Sequence, residues 1–429
     1  MDASVLVSPF LFLSSPSRLF SLAEALVKTK PSPQCKLCVA IPVRDEAASI
    51  EASLQAIAHQ VDLTGKPLGR CYEVILFANN CTDGTADIAR RFAVRHPQLA
   101  LHVVERSLPS SQAYVGKARQ IVMHEAYRRM ASLGGRGAIA TTDGDTQVSS
   151  TWVAANLYEI ARGADAVGGR ILFKKQDLAL LTPQAQAYRL RSFGYDYLKS
   201  KLEYYLDPDI SEFPSRHHQH CGASLAVSAD AYQRVGGLPA CRTPEDVAFY
   251  KALKRIDARF CHSALARVTT SARLQGRTDI GCANQLNEWV SLGDSRYQLL
   301  RESAEALESK LIARRQLKIT WQRCMSGEAL LTQEINLLAQ QIGIAEGWLA
   351  AELVQHRFFG QLADSVAQQA KLVWRQRWPL VDINSAIAGI RLRLRKIAQE
   401  QAKLARISQA DTARRGIPKD DTGAEGIAP

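Results

Sequence analysis

Three short polar segments of this chain carry residue types that do chemistry: PVRDE (Pro42 to Glu46), ANNCTDGT (Ala78 to Thr85) and TTDGDT (Thr141 to Thr146). The sharpest item is Asp143-Gly144-Asp145. Two carboxylates one residue apart, with glycine letting the backbone turn, can share one divalent ion. Mg2+ and Mn2+ take hard oxygen ligands and usually bind through one or two carboxylates plus substrate phosphates. A metal held this way neutralises charge on a departing diphosphate. A plain turn between two elements is the competing reading of the same residues. Each segment alone reads as turn chemistry, so their positions in the chain decide between the two.

Each segment closes an apolar run. LCVAIPV (Leu37 to Val43), YEVILFA (Tyr72 to Ala78), LALHVVE (Leu99 to Glu105) and GAIATTD (Gly137 to Asp143) read as strands of a buried parallel sheet. Between them, Ala47 to His59, Thr85 to Val94 and Lys117 to Leu133 read as helices; Ile50, Leu54 and Ile57 fall on one face of the first. Strands alternating with helices imply βαβ units, and ligands of such sheets bind beyond the carboxyl ends of the strands. The polar segments therefore converge on one edge. After Asp143 the alternation loosens. Trp152 to Arg162, Leu178 to Leu206 and Val247 to Ile256 read as helices, and Asp165 to Phe173 and Gly222 to Ser228 as strands, the latter followed by a helix to Val235. Asp207 to His220 is a polar loop. The expected organisation is a leader over 1–34, an α/β domain over 35–280, a helical C-terminal domain over 281–410 and a disordered tail over 411–429.

Composition bounds the function classes. The chain has 429 residues, 46% hydrophobic and 22% charged, which excludes a largely disordered protein and supplies a full-sized core. Lys and Arg number 54 against 42 Asp and Glu, a formal charge of +12. That suits nucleotides or an acidic membrane face, or is simply a basic surface. Nine scattered cysteines exclude a small disulfide-stapled fold. Cys35 and Cys38 form the single CxxC, at the edge of an apolar run, so reduced thiols of a cytoplasmic protein are expected rather than zinc. Val5 to Leu13 is far shorter than the roughly 20 residues that span a bilayer. The run Arg391, Arg393, Arg395 and Lys396 is a solvated face or a membrane-surface patch.

The order of the motifs says more than any one of them. AIPVRDEAASI, ILFANNCTDGTADIA, GKARQ, ATTDGDTQVSSTW, GASLAVSADAYQRVGGLP and TPEDVAFYKAL follow one another over about residues 36–275. This series resembles family 2 glycosyltransferases of the GT-A fold. The resemblance implies a GT-A-like (Rossmann-like) α/β fold, a mostly parallel sheet with flanking helices. It also implies metal-dependent, inverting transfer of a sugar from a nucleoside-diphosphate sugar to an acceptor hydroxyl. By the same resemblance Pro42, Arg44 and Glu46 contact the nucleotide. Asn79 stands where an acidic residue usually reads the nucleobase. Asp83 either contacts the nucleotide or caps the helix at Thr85. Lys117 of the Gly116-Lys117 step meets the diphosphate. Asp143 and Asp145 match a DxD metal motif for Mg2+ or Mn2+, with Asp145 the direct ligand and Asp143 also on the donor. Glu245 and Asp246 match an ED pair whose Asp is the catalytic base; a carboxylate that takes the acceptor's proton contributes about 10² to 10⁴ in rate. Thr243-Pro244-Glu245 is equally a helix start.

Weaker candidates surround these. His217, His218 and His220 are a metal site, an acceptor loop or a surface loop, with His220 expected nearest the site. His262, expected to follow a strand, is a metal or diphosphate contact or a core or surface histidine. Arg273 and Arg277 are phosphate holders. The QxxRW motif of processive synthases is absent, which implies transfer of one sugar to a soluble or peripheral acceptor. Peripheral contact with an acidic membrane surface fits the charge, and nucleic acid is not an expected partner. Two rival functions remain. A sugar nucleotidyltransferase needs a Gly-rich phosphate loop that PVRDEAASI lacks. A non-catalytic nucleotide-sugar-binding scaffold is motivated by Asn79.

Overall fold

A computed structural model describes residues 24–208, 217–239, 241–242, 244–274, 281–294 and 298–414. Among them eight strands form one sheet: β1 (Leu37–Val43), β2 (Tyr72–Asn79), β3 (Leu101–Arg106), β4 (Ala138–Thr141), β5 (Gln147–Val148), β6 (Ala166–Phe173), β7 (Leu225–Ser228) and β8 (Phe260–Thr270). Their order is β3-β2-β1-β4-β7-β6-β8-β5. The pairings β3–β2, β2–β1, β1–β4 and β6–β8 are parallel, whereas β4–β7, β7–β6 and β8–β5 are antiparallel. The sheet is thus the expected mostly parallel one in its first half and mixed in its second.

Every residue of β1 and β2 is buried, because helices cover both faces. Alternation divides their side chains. Val39, Ile41, Val74 and Leu76 pack with the helices Ile50–Ala58, Thr85–Arg95 and Trp152–Ala161. Cys38, Ala40, Ile75 and Phe77 pack with Val115–Ser132, Ala229–Arg234 and Glu245–Arg255. Register sets the site edge. Val43 lies opposite Ala78, so β1 and β2 end level. Ala40 pairs with Thr141, and continuing that register brings Asp143 to Asp145 level with the end of β1.

Helices follow. Ala304–Met325, Thr332–Ile342, Glu346–Gln355 and Phe359–Arg377 share a core that includes Leu317, Leu338, Leu349 and Leu362. Two other packings cross residue 280. The helix Pro183–Leu206 shares Tyr195 and Leu202 with Leu307 and Ile390 of the C-terminal helices. The helix Cys282–Asp294 puts Leu286 and Trp289 against Leu181, Ala185 and Ala272. The expected helical region is present, interlocked with the sheet domain. Asp257, at φ +53°, holds the junction: its carboxylate accepts from the Phe359 and Gly360 amides, both at 2.7 Å. The last helix runs Ile383–Arg414, so residues 411–414 are helical. The leader segment Val5 to Leu13 and residues 415–429 lie outside the described residues. No helix among the described residues is long and apolar enough to cross a membrane.

Candidate functional site

The ends of β1, β2 and β4 open onto one cavity of about 710 Å3. Pro42, Arg44 and Glu46 line it from the first polar segment, Asn79 from the second, and Asp143, Gly144 and Asp145 from the third. Glu245 and Asp246 reach it from the other side, as the opening residues of the helix Glu245–Arg255, behind Pro244 as N-cap. Of the ten residues singled out for the site, eight meet here. Lys117 donates to Gln120 Oε1 at 3.0 Å and is not in the wall. Asp83 is also outside it. Its carboxylate accepts from the Ala47 amide at 2.8 Å and from the Thr85 amide and hydroxyl, which ties the first polar segment to the second. The N-cap of the helix Thr85–Arg95 is Gly84, and Asp83 holds only that helix's first amide.

A residue not singled out joins the two acidic pairs. Arg119, from the GKARQ segment, is 3% exposed. Its Nε donates to Glu245 Oε1 at 2.9 Å and its Nη2 to Asp143 Oδ1 at 2.7 Å, while Nη1 donates to Thr141 Oγ1 at 2.8 Å and to the Gly222 carbonyl at 3.1 Å. Burial opposes its charge, but Asp143 and Glu245 more than offset that and keep it protonated. A signal for this existed. Arg119 interrupts a stripe with Val122, Met123 and Ala126 on the buried face of its helix, and an arginine on such a face is paired far more often than free.

A second guanidinium holds the opposite flank. Arg273 donates to Glu46 Oε1 at 2.7 Å and Oε2 at 3.1 Å, and its Nη2 lies 3.3 Å from Asp145 Oδ2. Arg277 lies outside the described residues. Asp145 also accepts from Thr270 Oγ1 at 3.3 Å. Burial, with Asp143 next, pushes its carboxyl up to about 6; Arg273 opposes this and Glu46 adds to it. Glu245 is likewise raised, by burial first, with Arg119 opposing. Gly144 is required by close approach: a Cβ there would sit 2.7 Å from Val43 Cγ1 and 3.0 Å from Glu46 Cγ. Asp246 is aimed by backbone, its Oδ2 accepting from the Gly222 amide at 2.9 Å and its Oδ1 from the Val247 amide at 2.7 Å. Asn79 is 2% exposed, and its Oδ1 is buried with no hydrogen-bond partner.

The histidines divide. His217 accepts the Gln219 amide on Nδ1 at 3.1 Å, so Nε2 carries the proton and donates to the Ser263 carbonyl at 3.0 Å. Burial pushes it down to about 3, as a neutral structural ring requires. His262 lies inside β8, not after a strand, within a ring cluster that includes His217 and His220. His220 stacks on Tyr250 at 4.0 Å and lines the cavity, as does His218. Among the described residues, no group of three or more His, Cys, Asp or Glu side chains converges as a metal cage. The charge balance still favours a cation. Seven carboxylates (those of Glu46, Asp143, Asp145, Asp196, Glu245, Asp246 and Glu288) face three guanidiniums in the described lining. Asp143 and Asp145 present the hard carboxylate oxygens that a divalent ion takes.

Part of the chain is similar to known proteins. Residues 38–217 match the family model "Glycosyl transferase family 2". Glycosyltransferase AglE of Haloferax volcanii is 31% identical over 137 residues, which are 32% of this chain and 39% of that protein's length. Among solved structures, residues 1–349 of S. aureus TarS in complex with UDP align over 80% of this chain and 91% of that one, with TM-score 0.39 and 16% identity. Mannosyltransferase PcManGT from Pyrobaculum calidifontis, in complex with GDP-Man and Mn2+, aligns over 88% and 92%, with TM-score 0.39 and 16% identity. At such scores the structural likenesses bear on neither donor nor acceptor. The family model covers the segments that end β1, β2 and β4 and stops short of the Glu245 and Asp246 pair.

Proposed function

We propose that this protein transfers a sugar from a nucleoside-diphosphate sugar to an acceptor hydroxyl, in one inverting displacement. The observation that carries the reading is the buried Arg119 fork, which couples the DxD acid Asp143 to the ED acid Glu245 in one cavity. Donor and acceptor chemistry are thereby held in a fixed relation, and much of the acceleration in such a reaction comes from that alignment. Asp246 removes the acceptor proton. Two backbone amides fix its carboxylate, and a carboxylate has lone pairs left for a hydroxyl. Asp143 and Asp145 would hold Mg2+ or Mn2+, which supplies charge stabilisation of the leaving diphosphate. Asn79 Oδ1, buried and unpaired, offers an acceptor to a nucleobase N–H. Uracil, thymine and guanine present a ring N–H and cytosine an exocyclic N–H to such an acceptor, so the binding test, not Asn79, names the base.

The test is thermal unfolding with UDP, GDP, CDP and dTDP, each with and without Mn2+, on wild type and Asp145→Ala, followed by nucleotide release from the matching sugar donor. A ligand at about 100 times its Kd adds roughly 2.7 kcal/mol to the folded state. One nucleotide raising the midpoint only with Mn2+, with the effect lost in Asp145→Ala and with turnover present, is the expected result. Binding without turnover across an acceptor panel would favour a nucleotide-sugar-binding scaffold. No shift with any nucleotide would sink the donor site altogether.

A further inference from the structure

One wall of the cavity belongs to neither acidic pair. It is made where the helix Pro183–Leu206 packs against the helix Cys282–Asp294. Phe193 is its centre, with ring centroids 6.0 Å from Trp289 and 5.9 Å from His218. Three residues of this wall carry a buried polar atom with no hydrogen-bond partner among the described residues: Ser192 Oγ, His218 Nδ1 and Trp289 Nε1. Ser192 is 2% exposed and Trp289 1%. Burying such groups unpaired is costly, so a ligand that pairs them gains affinity.

Their chemistry is complementary. The indole N–H only donates and the serine hydroxyl does both. His218 Nε2 faces Asp196 Oδ2 at 3.6 Å, so a neutral ring with its proton on that side leaves Nδ1 as an acceptor. The charged groups of the wall are Asp196 and Glu288, both acidic. The guanidiniums of the described lining are engaged elsewhere: Arg119 on Asp143 and Glu245, Arg273 on Glu46 and Asp145, Arg44 on the Ala113 carbonyl. An acceptor bearing phosphate would meet carboxylates here with no described cation to offset them.

We propose that this wall is the acceptor subsite and that its ligand is a neutral saccharide. The inference rests on the transferase reading for the word acceptor, while the saccharide chemistry stands on the wall itself. A sugar ring has an apolar C–H face that packs on an aromatic face, and a hydroxyl edge that both donates and accepts. Phe193 supplies the platform; Ser192, His218 and Trp289 supply the complement to the hydroxyls.

The experiment is saturation-transfer NMR on the full chain with Mg2+ and the nucleotide that shifts its melting point. The probes are methyl glycosides of glucose, galactose, mannose and N-acetylglucosamine with their disaccharides, against glucose 6-phosphate and farnesyl phosphate. A neutral saccharide should bind, and Phe193→Leu should weaken it about tenfold, with nucleotide binding intact. Ser192→Ala, a smaller change, should also weaken it and serves if Phe193→Leu does not fold. The proposal is overturned if only phosphate-bearing probes bind, if nothing but nucleotide binds, or if both variants keep wild-type saccharide affinity. Saccharide binding without any nucleotide binding would instead keep this subsite and remove the transferase reading.

Discussion

Arg119 is the residue on which the site's stability and its donor chemistry should prove inseparable. It is almost fully buried, and it donates to Glu245, Asp143, Thr141 and the Gly222 carbonyl. Replacing it with methionine keeps the volume and removes the charge. Glu245, 5% exposed, is then left as a buried carboxylate without its cation, and breaking a buried pair from one side costs about 3–5 kcal/mol. Glu245→Gln should cost less, about 1–2 kcal/mol, because Arg119 still has Asp143. In the double variant neither charge is stranded at that contact, so about 2 kcal/mol of the summed cost should return. Urea unfolding at pH 7 without metal measures all four corners of the cycle. Nucleotide binding with Mn2+ should weaken in Arg119→Met and be only partly rescued in Arg119→Lys, since one ammonium cannot reproduce a fork to two carboxylates. An Arg119→Met cost below about 1 kcal/mol, or additivity within about 0.5 kcal/mol, would refute the bridge.

Other consequences follow from the same geometry. Asp246→Asn keeps the shape, gives up one of the two amide contacts to Gly222 and Val247 and removes the base, so turnover should fall about 10² to 10⁴ while nucleotide binding is unchanged. His217 is neutral in the folded chain down to about 3 against an ordinary 6.5. The unfolded chain therefore takes up the proton first, and stability present above pH 6.5 is lost as pH falls. Between pH 8 and pH 4 that loss is about 3 kcal/mol, and His217→Gln should flatten it in acid unfolding curves. Gly144→Ala should cost about 1–3 kcal/mol and weaken metal-dependent nucleotide binding, because its methyl meets Val43 Cγ1. Val43→Ala in the same chain should recover part of both, which a simple loss of turn flexibility would not allow.

What was legible in the sequence was what local spacing encodes. β1 and β2 are buried on both faces, and only a continuous apolar run satisfies that, so their limits fell within a residue of expectation. β5, two residues long and paired to β8 by register alone, has no pattern of its own. The antiparallel run of β7 between β4 and β6 depends on how the chain returns, which no window reports. The helix Cys282–Asp294 read simply as part of a helical domain. Its Trp289 and Leu286 reveal their role only when the helix Pro183–Leu206 lies against them.

The site divides along the same line. The acids are candidates from sequence because each pair is close in the chain and sits at an element boundary, where turn residues and helix starts are readable. Lys117 and Arg119 show the limit. Both are basic residues near the start of one helix, two positions apart, and on charge alone the first is as good a candidate as the second. The difference is the face each presents. Lys117 meets Gln120 one turn along, whereas Arg119 turns inward to partners 24 and 126 residues away. Helix periodicity can nominate the inward face, since Val122, Met123 and Ala126 share it. It cannot name the acids waiting there. A buried charge is chosen by its partners, and partners so distant in sequence are set by the topology of the sheet. The candidate acids of this site are therefore local, and the arginine that couples them is not.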